Sequence, residues 1–202
     1  MKKLSIIIPV WNQEDLIIKA LDSVPRRDDI EVLIYDDAST DNTRKNVRKY
    51  IKEHPEMDIK LFYGNKNRGV GYAKNVLLGK ATGEYIHNLD SDDTLITDRY
   101  EKAMKKLNGT DMVYINLLIN DGSIFALNTW SKRTFCAGTA RFIRREFLGD
   151  TRCPEIRAAE DWHLNNALLE KNPTELFTDI TAYRYNYPRE GSLFDLLKKG
   201  KL

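Results

Sequence analysis

The sequence predicts an α/β protein with a mixed, mainly parallel sheet and helices on both faces. Three observations carry that expectation. β-branched runs alternate with segments of helical periodicity through the first hundred residues. Polar clusters follow most of those runs directly. The composition, 42% hydrophobic and 31% charged over 202 residues, is a soluble globular balance, neither disordered nor membrane-embedded.

The elements follow in chain order. Ser5 to Val10 (SIIIPV) is a β-branched run suited to a parallel strand covered on both faces. Ile17, Ala20, Leu21 and Val24 fall at i, i+3, i+4 and i+7, one face of a helix that Pro25 stops. Glu31 to Tyr35 (EVLIY) is a second strand. Ser39 or Asp41 is placed to cap the next helix, with Val47, Tyr50 and Ile51 inward. Ile59 to Tyr63 is a third strand. Ala73, Val76, Leu77 and Lys80 mark a third helix, and Glu84 to Leu89 a fourth strand. Strands alternating with helices imply crossovers and a parallel, Rossmann-like layer. Ligands in such sheets bind beyond the carboxyl ends of the strands.

The second half reads differently. Tyr100, Ala103, Met104 and Leu107 give one more helix. Met112 to Ile119 and Ser123 to Leu127 flank Asn120-Asp121-Gly122, a hairpin signal. A helix from about Glu160 to Glu170 and a strand near Ile180 to Tyr185 follow. No linker or repeat interrupts the chain, so one domain is expected over 1–202. Its halves are 1–107, expected to be parallel, and 108–202, expected to be mixed and to carry the C-terminal tail.

Charge and cysteine content exclude several classes. Lysine plus arginine is 32 and aspartate plus glutamate 30, a net charge of +2. Such a chain has no global field for gripping nucleic acid. Cys136 and Cys153 do not make a disulfide framework, and the three histidines follow no zinc spacing. The apolar run at the N-terminus is only seven residues and contains Pro9, so a strand is expected there rather than a signal peptide. The expected location is cytoplasmic. The tail mixes Leu193, Phe194, Leu196 and Leu197 with Lys198, Lys199 and Lys201. It suits either an anionic membrane surface or a terminal helix packed on the domain.

Five clusters carry candidate chemistry. Leu89-Asp90-Ser91-Asp92-Asp93 puts three carboxylates after a strand, where their repulsion is relieved by Mg²⁺ or Mn²⁺, or where they serve the start of a helix. Asp36-Asp37-Ala38-Ser39-Thr40-Asp41 can accept hydrogen bonds from a base or ribose, or cap a helix. Pro9-Val10-Trp11-Asn12-Gln13-Glu14 offers an aromatic for stacking on a base or packing on the sheet edge. Asn65 to Gly83 places Gly69 and Gly71 before a helix, suiting close approach to an anion, with Lys74 facing phosphate, base or solvent. Ala158-Ala159-Glu160-Asp161-Trp162-His163 pairs two acids that make either a general base or a dipole-favoured first turn.

Taken in order, SIIIPVWNQE, IYDDASTDNT, NKNRGVGYAKNVLLGKATGEYIHNLDSDD, AAEDW and AYRYNYPREGSL resemble family 2 of the glycosyltransferases, inverting enzymes of the GT-A fold. The resemblance runs from Leu4 to Leu193, and its specificity lies in five motifs in family order. It implies nucleotide contacts for Pro9, Val10, Trp11, Glu14, Asp36, Asp37, Asn67, Gly71, Lys74, Asp90 and Ser91. Ala38 stands where the family has glycine, and Lys74 where it commonly has arginine. The resemblance makes Asp92 the ligand of Mn²⁺ or Mg²⁺ and Asp161 the catalytic base. Asp93, Glu160, Arg189 and Ser192 are secondary candidates, Arg189 with Gly191 and Ser192 in a segment that closes over the diphosphate. The implied partners are a nucleotide-sugar donor, commonly a UDP-sugar, and a sugar or lipid-linked sugar acceptor. A peripheral membrane contact and a homodimer are left open. A nucleotidyltransferase is disfavoured, because VWNQED lacks a glycine-rich basic loop after the first strand. A nucleotide-binding module without catalysis is disfavoured by Asp92 and Asp161.

Overall fold

The computed structural model describes residues 2–127, 138–156, 159–190, 195 and 199. Cys136, Ala158, Gly191, Ser192 and most of the tail lie outside the described residues.

One sheet of nine strands organises them, with strands in the order β3-β2-β1-β4-β8-β6-β9-β5 and β7 added on β6. β1 (Leu4–Val10), β2 (Ile30–Asp36), β3 (Asp58–Tyr63) and β4 (Tyr85–Asn88) are mutually parallel. Every residue of β1 and β2 is buried. That explains their unbroken apolar runs, since a strand covered on both faces has no polar side to show. β3, at the edge, is only partly buried and alternates with Lys60 outward. The connecting helices are α1 (Ile17–Asp22), α2 (Thr43–Glu53) and α3 (Val70–Lys80). α3 lies on β1 and β2, and α1 contacts α2.

Every antiparallel pair includes a strand of the second half. β8 (Arg141–Arg144) lies between β4 and β6 (Met112–Ile119) and runs against both. β6 turns through Gly122 into the short β7 (Ile124–Phe125), the expected hairpin. β9 (Glu175–Tyr185) begins five residues before its predicted start and pairs parallel with β6. The remaining elements are β5 (Thr94–Leu95), α4 (Thr97–Met104), a 3₁₀ turn at Gly138–Ala140, α5 (Arg145–Leu148) and α6 (Glu160–Leu169).

Several local expectations are corrected. α2 starts after Asn42. Ser39 holds the loop after β1, its Oγ accepting from Asn12 N–H at 2.9 Å, while Asp41 serves both segments, accepting from Glu14 N–H at 3.1 Å and from Thr43 N–H, at the first residue of α2, at 2.9 Å. On α3, Lys80 is exposed, and Lys74 is the lysine that points inward. Asp90 to Asp93 do not cap α4, because β5 intervenes and the acid in that helix's first turn is Asp98.

Glu31 shows how a buried charge is accommodated between strands. Its Oε1 accepts from Ser5 Oγ at 2.7 Å, Thr82 N–H at 2.6 Å and Thr82 Oγ1 at 2.8 Å, while Lys60 approaches Oε2 at 3.1 Å. These bonds hold the carboxyl below its usual range against the opposing effect of burial.

His87 on β4 is completely buried, stacked on Phe142 and hydrogen-bonded to Tyr100 Oη and the Thr139 carbonyl, both at 2.8 Å. Burial pushes its pKa down from 6.5 to about 4. A group with a depressed folded-state pKa binds fewer protons folded than unfolded across that window. Stability is therefore complete above pH 6.5 and falls by up to about 3 kcal/mol toward pH 4. Thermal melts of wild type and His87→Gln across pH 4 to 7 check this. The variant is expected to show a flatter acid decline, and an identical slope contradicts the assignment.

Candidate active site

The carboxyl ends of β1, β2 and β4 carry the candidate residues, as the sheet topology requires. Pro9 and Val10 are buried in β1, and Trp11 follows at 50% exposure. The next turn depends on Asn12 at φ +49°, whose Oδ1 accepts from Thr40 N–H at 2.8 Å. Glu14 turns its carboxylate to Asn42 N–H at 2.7 Å, so it braces the start of α2.

The paired acids after β2 have separate tasks. Asp36 is fully buried, accepting from Ser39 N–H at 2.9 Å and Arg44 Nε at 2.5 Å. Asp37 faces the other loop and accepts from Arg68 N–H at 3.0 Å and Gly69 N–H at 2.7 Å. Asn67, exposed, also accepts from Gly69 N–H, at 3.1 Å. Between the two acids and Ser39, Ala38 sits at φ +61°, the left-handed region that glycine reaches without steric penalty. A cleft of about 500 Å³ adjoins this end of the sheet, lined by Arg44, Arg68, Lys66 and three tyrosines. It lies beside the ends of β2 and β3, and none of the β4-loop acids lines it.

Gly71 has a different reason from the predicted close approach to a ligand. A Cβ there would run into the Pro154 carbonyl oxygen. The missing side chain lets α3 pack against the segment before α6. Gly71→Ala is accordingly expected to lower stability by about 1–3 kcal/mol, read as a fall in melting temperature. An unchanged melt excludes this packing role.

The acid loop after β4 is fastened from the far end of the chain. Tyr183 Oη on β9 accepts from Asp90 N–H at 3.1 Å and donates to Asp93 at 2.7 Å. Asn186 N–H donates to the other Asp93 oxygen at 2.8 Å. Asp93 is 2% exposed, and Ser91 is buried too. Asp92 remains partly exposed, and Arg189 reaches its Oδ2 through Nε at 2.9 Å and Nη2 at 2.8 Å. Burial raises Asp90 to about 7 and Asp93 to about 8. Lys74 opposes the rise at Asp90; Asp161 and Asp92 reinforce it. Asp93, sequestered by Tyr183 and Asn186, is thus a fixture of the loop rather than a ligand.

Asp161 completes the group. Glu160 and Asp161 form the first turn of α6, where the helix dipole favours negative charge. Ala159 precedes them at φ +65°. Asp161 Oδ1 accepts from Lys74 Nζ at 2.5 Å, and its Oδ2 from Gly138 N–H at 3.1 Å. Glu160 meets the same ammonium at 2.8 Å. Burial pushes Asp161 upward, but Lys74, Arg141 and the Gly138 N–H overcome it, and its pKa is lowered. Lys74, 3% exposed, is therefore engaged with carboxylates instead of standing open to phosphate or solvent.

Among the described residues no three acids, histidines or cysteines are gathered to cage a metal ion. One accessible carboxylate, Asp92, fits the other mode, in which Mg²⁺ or Mn²⁺ is shared between one protein carboxylate and substrate phosphates. That Asp92 already draws the Arg189 guanidinium shows how much positive charge this position accepts. The sequence did not single out Arg44, Gly138, Tyr183 or Asn186. Tyr183 and Asn186 lie within AYRYNYPREGSL, where strand alternation made them look like ordinary strand residues.

The Glycosyl transferase family 2 model matches residues 5–133, more than half of the chain, and the chain belongs to that family. An uncharacterized glycosyltransferase of Mycoplasma genitalium is 41% identical over 96% of this chain and 62% of its own. A putative teichuronic acid biosynthesis glycosyltransferase of Bacillus subtilis, TuaG, is 30% identical over 90% of this chain and 75% of its own. The structure of Staphylococcus aureus TarS 1–349 in complex with UDP-GlcNAc matches with a TM-score of 0.80 at 26% identity, covering 94% of this chain and 60% of that one. The architecture is GT-A. Complete TarS, a poly(ribitol-phosphate) beta-N-acetylglucosaminyltransferase, is longer, and this chain spans 36% of it.

Asp161 is confined on the Gly138 side, where a Cβ would come within 2.6 Å of Oδ1. Gly138→Ala is expected to displace the carboxylate and lower turnover about 10²-fold while the protein remains folded. Steady-state kinetics beside a thermal melt test this, and retained turnover counts against the confinement.

Proposed function

We propose that the protein is a metal-dependent inverting glycosyltransferase, moving a sugar from a UDP-sugar to an acceptor hydroxyl. The observation that carries this reading is the pairing of two carboxylates of unlike environment. Asp161 is held charged by Lys74 and remains 24% exposed, while Asp92 stands at the rim of the acid loop. Both act electrostatically on Asp90 between them.

The chemistry follows from those positions. Trp11 offers a flat face to the base, worth about 1–3 kcal/mol in stacking. Asp37 keeps acceptor capacity beyond its two backbone donors and meets base or ribose. Asp92 would hold a divalent cation, which when bound would supply positive charge for the leaving group. Asp161 accepts the proton of the acceptor hydroxyl as its oxygen bonds to the anomeric carbon. The bond from that carbon to the diphosphate oxygen breaks, and its electron pair leaves with the diphosphate. Attack opposite the leaving group inverts the carbon. Arg189, which contacts Asp92 Oδ2, adds positive charge for the leaving diphosphate.

Residues 108–202 supply the acceptor side. The polymers named for TarS and TuaG support a surface polysaccharide or glycolipid product. A lipid-linked acceptor brings peripheral contact with the inner face of the membrane, to which Lys198, Lys199 and Lys201 lend charge. No helix among the described residues is long and apolar enough to cross a membrane.

Calorimetric titration of UDP, GDP and dTDP with Mn²⁺ and with EDTA tests the reading. One nucleotide is expected to bind with metal, and Asp92→Asn to weaken it at least about tenfold, ~1.4 kcal/mol. Asp161→Asn is expected to bind that nucleotide normally and lose roughly 10²–10⁴ in turnover. Binding of none of the three overturns the nucleotide-sugar reading; full turnover by Asp161→Asn leaves a transferase with another base.

A further inference from the structure

Lys74 stands out among the charged groups because burial places it where a lysine is rarely found alone. It is 3% exposed, on the face of α3 that also carries Gly71, Leu77 and Leu78. Its ammonium lies 2.8 Å from Glu160 and 2.5 Å from Asp161, two successive residues of α6. A lysine turned to a phosphate would have to abandon both, leaving two carboxylates without their shared cation. Losing the cation of a buried cluster costs several kcal/mol, more than one phosphate contact restores.

We propose that Lys74 is a positioning residue for Asp161, fixing the carboxylate between α3 and the 3₁₀ turn and supplying its counter-charge, and that it makes no contact with the nucleotide. This rests on Asp161 being the proton acceptor.

The geometry supports each part. The two Asp161 oxygens have different donors: Lys74 Nζ takes Oδ1 and Gly138 N–H takes Oδ2. Two donors from separate elements fix the plane of the carboxylate, and each oxygen retains a lone pair for an incoming proton. The absence of a side chain at Gly138 is what makes room for the carboxylate there, since a Cβ would lie 2.6 Å from Oδ1. The charges facing Asp161 are also defined on every side. Glu160 comes from its own helix and Asp90 from the β4 loop, both unfavourable to a second negative charge. Lys74 from α3 and Arg141 from β8 are favourable. The neighbouring Cys153 thiol is pushed up to about 12 and stays neutral at working pH. Lys74 is in direct contact with Asp161, and its removal leaves Arg141 and the Gly138 N–H to oppose burial and like charge, which favour the protonated acid.

The test separates this role from nucleotide binding. Lys74→Met and Lys74→Arg are compared with wild type by calorimetry with UDP, GDP and dTDP, and by the pH dependence of UDP release from UDP-GlcNAc. Lys74→Met is expected to bind the preferred nucleotide within twofold of wild type. Its kcat is expected to fall tenfold or more at neutral pH, with the acid limb of the profile moved upward. Lys74→Arg, which restores the charge, is expected to return the limb toward wild type. Lys74→Gln, similar in length, is read in the same way if Lys74→Met does not fold. Nucleotide affinity weakened tenfold with an unmoved profile overturns the proposal, as does a lower kcat with no change in the limb. Asp161→Asn is run beside them: if it keeps full turnover, the base assignment fails whatever Lys74 does. If it is inactive and the Lys74 variants keep the wild-type profile, only the present inference fails.

Discussion

Negative charge is concentrated at one edge of the sheet, and the structure depends on how that charge is compensated. Asp36, Asp37, Asp90, Asp92, Asp93, Glu160 and Asp161 all gather beyond strand ends or at a helix start near them. Left to themselves, buried carboxylates protonate or push the loops apart. Each is dealt with separately here. Arg44 neutralises Asp36, backbone N–H groups cradle Asp37, Lys74 spans Glu160 and Asp161, and Arg189 covers Asp92. Asp93 is met by neutral donors, which do not outweigh its burial and the charges of Asp90 and Asp92, so its pKa is raised.

This division of labour distinguishes acids that shape the site from acids that remain accessible. Asp36, Glu14 and Asp93 spend their oxygens on the fold. Asp92 and Asp161 are each paired with a cation yet remain partly exposed, Asp161 fixed by the buried Lys74 and Asp92 by Arg189. The two residues that the resemblance marked for metal and base, Asp92 and Asp161, are both partly exposed.

Much of the parallel half was legible because its signals are local. SIIIPV and EVLIY are buried on both faces and read as unbroken apolar runs, and the polar clusters lie at the strand ends where such sheets bind ligands. The second half was less legible. β9 starts before its alternating stretch, since ELFTD is held by pairing with β6 rather than by its own pattern. β5 has only two residues and exists because Thr94 and Leu95 meet Arg184 and Tyr183. The orientation of Lys74 was likewise hidden. A lysine on a helix reads as solvated or anion-facing, and what turns it inward is a pair of acids 86 and 87 residues away. Gly71 looked like a ligand-approach glycine because nothing in its neighbourhood announces Pro154.

The hydroxyl of Tyr183 ties two parts of the chain that lie 93 residues apart at Asp90 and 90 apart at Asp93. Closing loops of that length is slow compared with forming the local βα units of the first hundred residues. A chain growing from its N-terminus can therefore complete its parallel layer and expose an acid loop that is present but not yet shaped. The loop acquires its geometry only when β9 pairs beside β6 and brings Tyr183, Asn186 and Arg189 into reach. Competence for chemistry is on this account gained only once β9 and the residues up to Arg189 have been made, and truncation short of Arg189 leaves a sheet with its acid loop unfastened.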